Sequence, residues 1–139
     1  MDVIEQTARQ RRLAAPGYPL PPWAGFLLDM GLILVFAAIG RGTHAEPVNP
    51  LGVFGTAWPF MVGTAFGWAL VWRIRKIAPL NANDGVLVWL ATFAVGMPLR
   101  VITGAGTAVP FVLVTMVATA ILLLGWRFVA DQVVTRGRY

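Results

Sequence analysis

The chain has 139 residues, of which 58% are hydrophobic and only 12% are charged, and its formal net charge is +5. This composition is typical of an integral membrane protein rather than a water-soluble domain. The chain contains no Cys and a single His, which excludes disulfides, thiolate chemistry, iron–sulfur ligation and multi-histidine metal sites within one chain. Phosphate-binding loops and dinucleotide fingerprints are absent as well.

Four apolar segments, at residues 23–40, 51–72, 86–102 and 109–128, are predicted to cross the bilayer. Each approaches the ~20 residues that a helix needs to span a hydrocarbon core of ~30 Å. Because they lack the alternation of barrel strands, an all-α fold of four transmembrane helices is predicted. The domain organisation is then a basic, Pro-rich tail at 1–22, a transmembrane domain at 23–128 and a C-terminal tail at 129–139.

The first segment also has the basic start and apolar run of a signal peptide. However, Asp29 interrupts the run and a Pro-rich stretch at 16–22 precedes it. Neither feature suits a cleaved leader, so this segment is predicted to be a true span.

Basic residues are distributed unevenly around the spans. Nine lie in the two tails, at the end of the fourth span and in the connection between the second and third spans, and only Arg41 and Arg100 lie in the other connections. Because positive loops stay in the cytoplasm, we predict a multi-pass protein of the prokaryotic inner (cytoplasmic) membrane with both termini cytoplasmic. Tryptophans lie at the predicted cytoplasmic ends of the spans, namely Trp23, Trp72, Trp89 and Trp126. No nucleic-acid partner is predicted.

Asp29 lies six residues past Trp23, roughly 9 Å along the first span at 1.5 Å per residue. A carboxylate at that depth is costly and should face protein or water. Arg127 enters at a similar depth from the fourth span, so an Asp29–Arg127 pair is predicted, and exchanging the two charges should recover part of the stability lost on replacing either. The pair either fixes helix packing, or Asp29 binds a proton or cation, as in small four-helix exporters that this chain resembles in architecture only.

A second group of polar residues lies at the other ends of the spans, opposite the predicted cytoplasmic ends. Arg41, His44 and Glu46 come after the first span, and Arg100 ends the third. Since Arg100 shares a helical face with small residues, it is predicted to point into a packed interface and to meet Glu46, a substrate anion or lipid headgroups. His44 is predicted to be a hydrogen-bonding loop residue rather than a metal ligand or proton relay.

Glycines four or eight residues apart mark two predicted packing faces. The second span carries Gly55, Gly63 and Gly67, and the third carries Gly96, with Gly104 in the same row. Small residues let helices approach closely in lipid. We therefore expect these faces to pack against other helices, including those of another chain.

Together these residues resemble the pattern of a domain-of-unknown-function family. The shared positions are Asp29, the turn Gly40-Arg41-x-x-His44-x-Glu46, Pro59-Phe60 with Gly63, Gly96-x-x-x-Arg100, Gly104-x-Gly106, Phe111 and Gly125-Trp126-Arg127. The family comprises small four-span membrane proteins of bacteria and archaea, and the resemblance covers about residues 24–128. It implies the four-helix fold and these polar positions, and no activity, cofactor or ligand.

Two functions remain open at this point. The favoured one is a non-catalytic accessory or scaffolding subunit of a larger membrane assembly, which contacts other membrane protein chains as a homo- or hetero-oligomer. The alternative is a small transporter or channel that uses Asp29 and the outer polar group, and that must be at least a dimer because one bundle is too thin to enclose a path. An enzyme ranks third, since Glu46 and His44 are the only acid–base candidates. No cofactor is predicted, although bound lipid is expected.

Overall fold

A computed structural model describes residues 2–6, 20–43, 48–106 and 108–136. Within these ranges the chain forms a helical turn at residues 3–6 and four long helices, α1 (Pro22–Thr43), α2 (Pro50–Arg75), α3 (Ala82–Ile102) and α4 (Val109–Arg136). Each of the four is long and apolar enough to cross a membrane. The predicted all-α fold with four such helices is confirmed, and it indicates a membrane-embedded protein.

Local chemistry fixes where the helices begin and end. The side chain of Asn49 accepts a hydrogen bond from the backbone N–H three residues on (2.8 Å), and Pro50 follows at the first helical position of α2. Lys76 ends α2 in the left-handed conformation, with φ at 59°. Asn81 caps α3 in the same way as Asn49, by accepting from the N–H of Asp84 at 2.8 Å.

The largest difference from the predicted spans is at the end of α4. The span is predicted to stop at residue 128, whereas the helix continues to Arg136. A hydrogen bond to α3 holds this extension, since Asp131 Oδ2 accepts from the backbone N–H of Ala82 at 3.0 Å. Part of the predicted C-terminal tail is therefore helical and joined to the start of α3.

The four helices form a ring in chain order, with each helix antiparallel to the next. α1 and α3 each pack against both α2 and α4. Near its start, α1 places Asp29 against Trp68 and Arg127, close to the ends of α2 and α4. Near its end, α1 places Arg41 against Thr56, close to the start of α2. We call these two levels of the bundle the Asp29 end and the Arg41 end.

Glycine allows α2 and α3 to approach closely. A Cβ at Gly63 would lie 2.8 Å from backbone atoms of α3, and a Cβ at Gly67 would lie 2.9 Å from that backbone. Gly96 of α3 in turn makes room for the ring of Phe60 from α2. These three predicted packing glycines therefore pack within the chain, and their faces are not open to another chain.

The other two predicted packing glycines, Gly55 and Gly104, do not pack against a helix of this chain, so for them contact with another chain stays a prediction. Gly55 is exposed, and no atom lies within 4 Å of a Cβ built on it. Residues four apart rotate by about 40° per step around a helix, which turns Gly55 away from the face of Gly63. Gly104 lies beyond the end of α3 in an exposed turn, where its φ of +80° favours glycine.

The core is apolar, and much of the outer surface is apolar too. The side chains of Ile33, Phe36, Phe60 and Leu123 are buried between the helices, and the rings of Phe36 and Phe60 meet edge to face with centroids 5.9 Å apart. Large apolar side chains on all four helices remain exposed, among them Leu27, Phe66, Leu90 and Ile121. This surface suits helices that face acyl chains, where lipid replaces water as the neighbour.

The connection between α2 and α3, residues 76–81, closes the Asp29 end of the bundle. Ala78, Pro79 and Leu80 are all buried. Leu80 packs so tightly on Gly25 of α1 that a Cβ at Gly25 would lie 2.5 Å from it. The backbone polar groups of a buried connection need hydrogen-bond partners. Arg127 of α4 supplies one, by donating to the carbonyl oxygen of Pro79. We call residues 76–81 the α2–α3 loop.

Candidate functional site

Asp29 and Arg127 form a buried ion pair, so the predicted contact is present. Arg127 donates from Nη1 to Oδ1 of Asp29 at 2.8 Å and from Nη2 to Oδ2 at 2.6 Å. Neither side chain has any exposed surface. Such a bidentate pair fixes geometry as well as charge. Gly85 of α3 allows this arrangement, because a Cβ there would collide with the side chain of Arg127.

Two indoles complete the hydrogen bonding of the carboxylate. Trp126 Nε1 donates to Oδ1 of Asp29 at 2.9 Å, and Trp68 Nε1 donates to Oδ2 at 2.7 Å. Each carboxylate oxygen thus accepts two hydrogen bonds, which uses the roughly four acceptor positions that a carboxylate has. A proton or cation at Asp29 would have to displace one of these four donors.

Arg127 also holds the α2–α3 loop. Its Nε donates to the carbonyl oxygen of Pro79 at 2.8 Å, and its Nη1 donates to that of Leu123 at 2.8 Å. The guanidinium carbon lies 4.5 Å from the centroid of the Trp126 ring. Four hydrogen bonds and one cation–π contact therefore compensate the buried charge. Through this one side chain α1, α4 and the α2–α3 loop are joined.

A second, weaker ion pair lies beside the α2–α3 loop. Asp84, only 1% exposed, accepts a hydrogen bond from Asn81 Nδ2 at 2.8 Å, and Arg75 Nε lies 3.1 Å from its other oxygen. Because 54% of the Arg75 side chain is exposed, solvent screens this pair far more than the Asp29–Arg127 pair. It fastens the end of α2 to the start of α3.

The predicted polar group at the Arg41 end is only partly described. Arg41 Nη1 donates to Thr56 Oγ1 at 3.2 Å. Its guanidinium lies over Gly52, where a Cβ would be 2.7 Å from it. His44 and Glu46 lie outside the described residues, so the prediction that Arg100 meets Glu46 stays a prediction.

Arg100, which was predicted to point into a packed interface, lies against α4 and the turn that follows α3. Its Nε donates to the carbonyl oxygen of Gly106 at 2.8 Å, and its guanidinium carbon lies 4.0 Å from the centroid of the Phe111 ring in α4. Because α3 ends two residues later, the long side chain reaches the following turn. Arg41 and Arg100 both line a cavity of about 140 Å³ at this end of the bundle.

The sequence pattern pointed to the ion pair but missed residues that complete it. Trp68 gave only a weak signal, in that it lies one turn before Trp72 near the same end as Asp29. Trp126 was interpreted as an interfacial ring, whereas its N–H points inward to the carboxylate. Gly85 gave no signal, because its collision with Arg127 exists only in the folded chain.

Four apolar helices around a buried ion pair define a small integral membrane protein. The chain belongs to the family described as "Protein of unknown function (DUF3054)", whose model matches residues 26–130. This confirms the resemblance to a domain-of-unknown-function family, and the matched region includes both Asp29 and Arg127. No curated protein and no solved structure matches the chain.

Proposed function

We propose that the protein is a non-catalytic accessory or scaffolding subunit of a larger membrane assembly. The observation that carries this proposal is the saturation of Asp29 by four donors from Arg127, Trp68 and Trp126. A carboxylate that couples transport must be reached by its ion. Asp29 has no exposed surface, and all its hydrogen bonds run between helices. Its role is to lock the bundle into one arrangement.

The partner contact is proposed on the face of α2 that carries Gly55. Gly63, Gly67 and Gly96 are occupied by contacts within the chain. Gly55 is exposed with open space around it, and another helix can approach there as closely as a small residue permits. This replaces the expectation that the faces of Gly63 and Gly96 meet another chain.

Both termini are proposed to be cytoplasmic, in a prokaryotic inner membrane. The exposed side chains of Arg73, Arg75 and Lys76 lie at the Asp29 end, and Arg136 lies beyond it on α4. Only Arg41 and Arg100 supply positive charge to the described part of the Arg41 end. The asymmetry that underlies the positive-inside rule thus persists in the folded bundle.

The subunit proposal is tested by purification in mild detergent. Wild type, Gly55→Leu and the control Val62→Leu, which changes an exposed position on the same helix, are purified in parallel from the native membrane. We expect one membrane protein to co-purify in fixed ratio with wild type and with Val62→Leu, and to be lost from Gly55→Leu while the four-helix fold persists by circular dichroism.

The alternative, an oligomeric transporter, predicts the opposite result. Its protein would purify without a different partner chain and would carry an ion into proteoliposomes. Loss of that flux in Asp29→Asn, with the oligomer intact, would overturn the subunit proposal, because a purely structural carboxylate has no such flux to lose.

A further inference from the structure

The cavity at the Arg41 end is not needed to hold the four helices together. It lies mainly between α1 and α4, with apolar walls from Phe36, Phe111 and Val114. Arg41 and Arg100 line it from the last turns of α1 and α3. A cavity with apolar walls and a few convergent polar groups is the usual form of a small-ligand site.

Thr115 gives the cavity a polar group without a partner. It is 1% exposed and lines the cavity, and its hydroxyl has no hydrogen-bond partner among the described residues. The other buried threonines differ: Thr64 and Thr92 bond to each other at 2.7 Å, and Thr119 bonds to backbone. Leaving a buried hydroxyl unbonded is unfavourable, so a ligand that accepts or donates there would remove that penalty.

The two arginines are positioned by contacts with their own surroundings. Arg41 is oriented by Thr56 and by its packing on Gly52, and Arg100 by Gly106 and by its stacking on Phe111. A guanidinium has five N–H donors in a fixed plane, so an arginine can be held in place and bind an oxyanion as well. Because the two arginine side chains are already held in place, a ligand loses less affinity to ordering them.

We propose that this cavity binds an oxyanion, phosphate or carboxylate, that carries an apolar group. The oxyanion lies between Arg41 and Arg100, the apolar group lies against the two phenylalanine rings and Val114, and the hydroxyl of Thr115 completes the contact. An acidic phospholipid headgroup and a short-chain organic anion share this chemistry. The inference is independent of the proposed partner of the subunit.

Two binding measurements separate the two sources. Delipidated protein in detergent is titrated with phosphatidylglycerol or with phosphatidylcholine of the same acyl chains, and retained lipid is counted by native mass spectrometry. In parallel, its thermal unfolding is measured with hexanoate, 1-hexanol or inorganic phosphate. Selective retention of phosphatidylglycerol assigns the site to a lipid, and stabilisation by hexanoate but not by 1-hexanol assigns it to a soluble anion. Absence of both effects overturns the proposal.

Variants then place the binding in this cavity. Arg100→Gln should weaken binding about tenfold or more, because it removes a charge-assisted hydrogen bond, whereas Arg73→Gln at the other end should not. Gly40→Leu, at the cavity wall where a Cβ meets no atom within 4 Å, should block binding, and Gly31→Leu, equally open on the same helix, should leave it unchanged.

Thr115→Val tests the same site with a variant that is expected to fold, so that lost binding cannot be attributed to unfolding. Replacing an unbonded hydroxyl by a methyl group should keep or raise the unfolding temperature of the ligand-free protein, yet binding should weaken several-fold. If Thr115→Val and Gly40→Leu both bind the anion as wild type does, the ligand lies elsewhere and the proposal fails.

Discussion

A charged Asp29 within a membrane helix is tolerated here because its partners are numerous and directional. Arg127 neutralises the charge, two indole N–H groups fill the remaining acceptor positions, and the donors left on the guanidinium reach the carbonyls of Leu123 and Pro79. In a medium of low dielectric, loss of one partner destabilises the fold, because the remaining polar group cannot form a hydrogen bond with water instead. Each residue of this cluster therefore depends on the others.

Breaking the pair from one side should destabilise the protein more than removing both charges. Arg127→Met leaves Asp29 buried without its counter-ion and should cost about 3 kcal/mol of unfolding free energy. Asp29→Leu combined with Arg127→Met should recover most of that loss. Unfolding followed by circular dichroism in mixed micelles measures both, and the exposed Arg136→Met is the control. Equal losses in the single and double variants would contradict this account.

Exchanging the two charges should not restore stability, contrary to the expectation from sequence. A carboxylate at position 127 would face the carbonyl oxygens of Pro79 and Leu123, and an arginine at position 29 would face the N–H groups of Trp68 and Trp126. Donors would meet donors and acceptors would meet acceptors. If the exchange variant unfolds as wild type does, under the same conditions, the four outer hydrogen bonds contribute little.

The sequence predicts the ion pair but not the indoles around it. The depth of Asp29 and Arg127 follows from counting residues along two helices, and opposite charges at one depth in lipid have few other partners. Whether the N–H of Trp126 points inward or toward the interface depends on the rotation of α4 about its axis. That rotation is fixed by packing, which no count along the chain supplies.

At the scale of whole helices, hydropathy locates the four spans, and the glycines decide which pair packs most closely. The α2–α3 contact depends on the absence of side chains at Gly63 and Gly67, and a bond between the hydroxyls of Thr64 and Thr92 crosses it. Spacing alone did not distinguish Gly63 from Gly55. Three-dimensional contact is needed, because a row of residues four apart turns gradually around a helix.

Gly63→Ala should destabilise the protein, and Gly55→Ala should not. The new Cβ at Gly63 would meet backbone atoms of α3, which cannot rotate away, so overpacking of about 1–3 kcal/mol is expected. At Gly55 the space is open, and alanine should be neutral or stabilising by roughly 0.5–1 kcal/mol through helix propensity. Thermal unfolding in detergent compares the two variants. Comparable effects in both would show that α2 and α3 separate easily.

For the molecule as a whole, the two ends of the bundle differ. The Asp29 end is filled by the α2–α3 loop and the ion pair, whereas the Arg41 end retains a cavity. Sequence reasoning placed polar residues at both ends but did not show which would be sealed, since Leu80 and Pro79 carry no polar signal. Function is the least predictable level, because a closed ion pair and an ion-coupling carboxylate use the same residue types.

The orientation of the bundle is tested by cysteine labelling, which the absence of native Cys makes straightforward. Val48→Cys is exposed near the Arg41 end and should react with an impermeant reagent added outside intact cells. Gln132→Cys is exposed on the last part of α4 and should react only after the membrane is opened. The reverse pattern would place both termini outside.

The sequence distance across the ion pair has a consequence for synthesis. Asp29 and Arg127 are 98 residues apart, so the first helix reaches the membrane well before its counter-ion is translated. During that interval the Asp29 carboxylate of α1 has no counter-ion, and it gains one only when α4 inserts into the membrane. A chain truncated before α4 should therefore be degraded faster than the same truncation with Asp29→Leu, as pulse–chase labelling would reveal. Biogenesis, and not only final stability, constrains this pair.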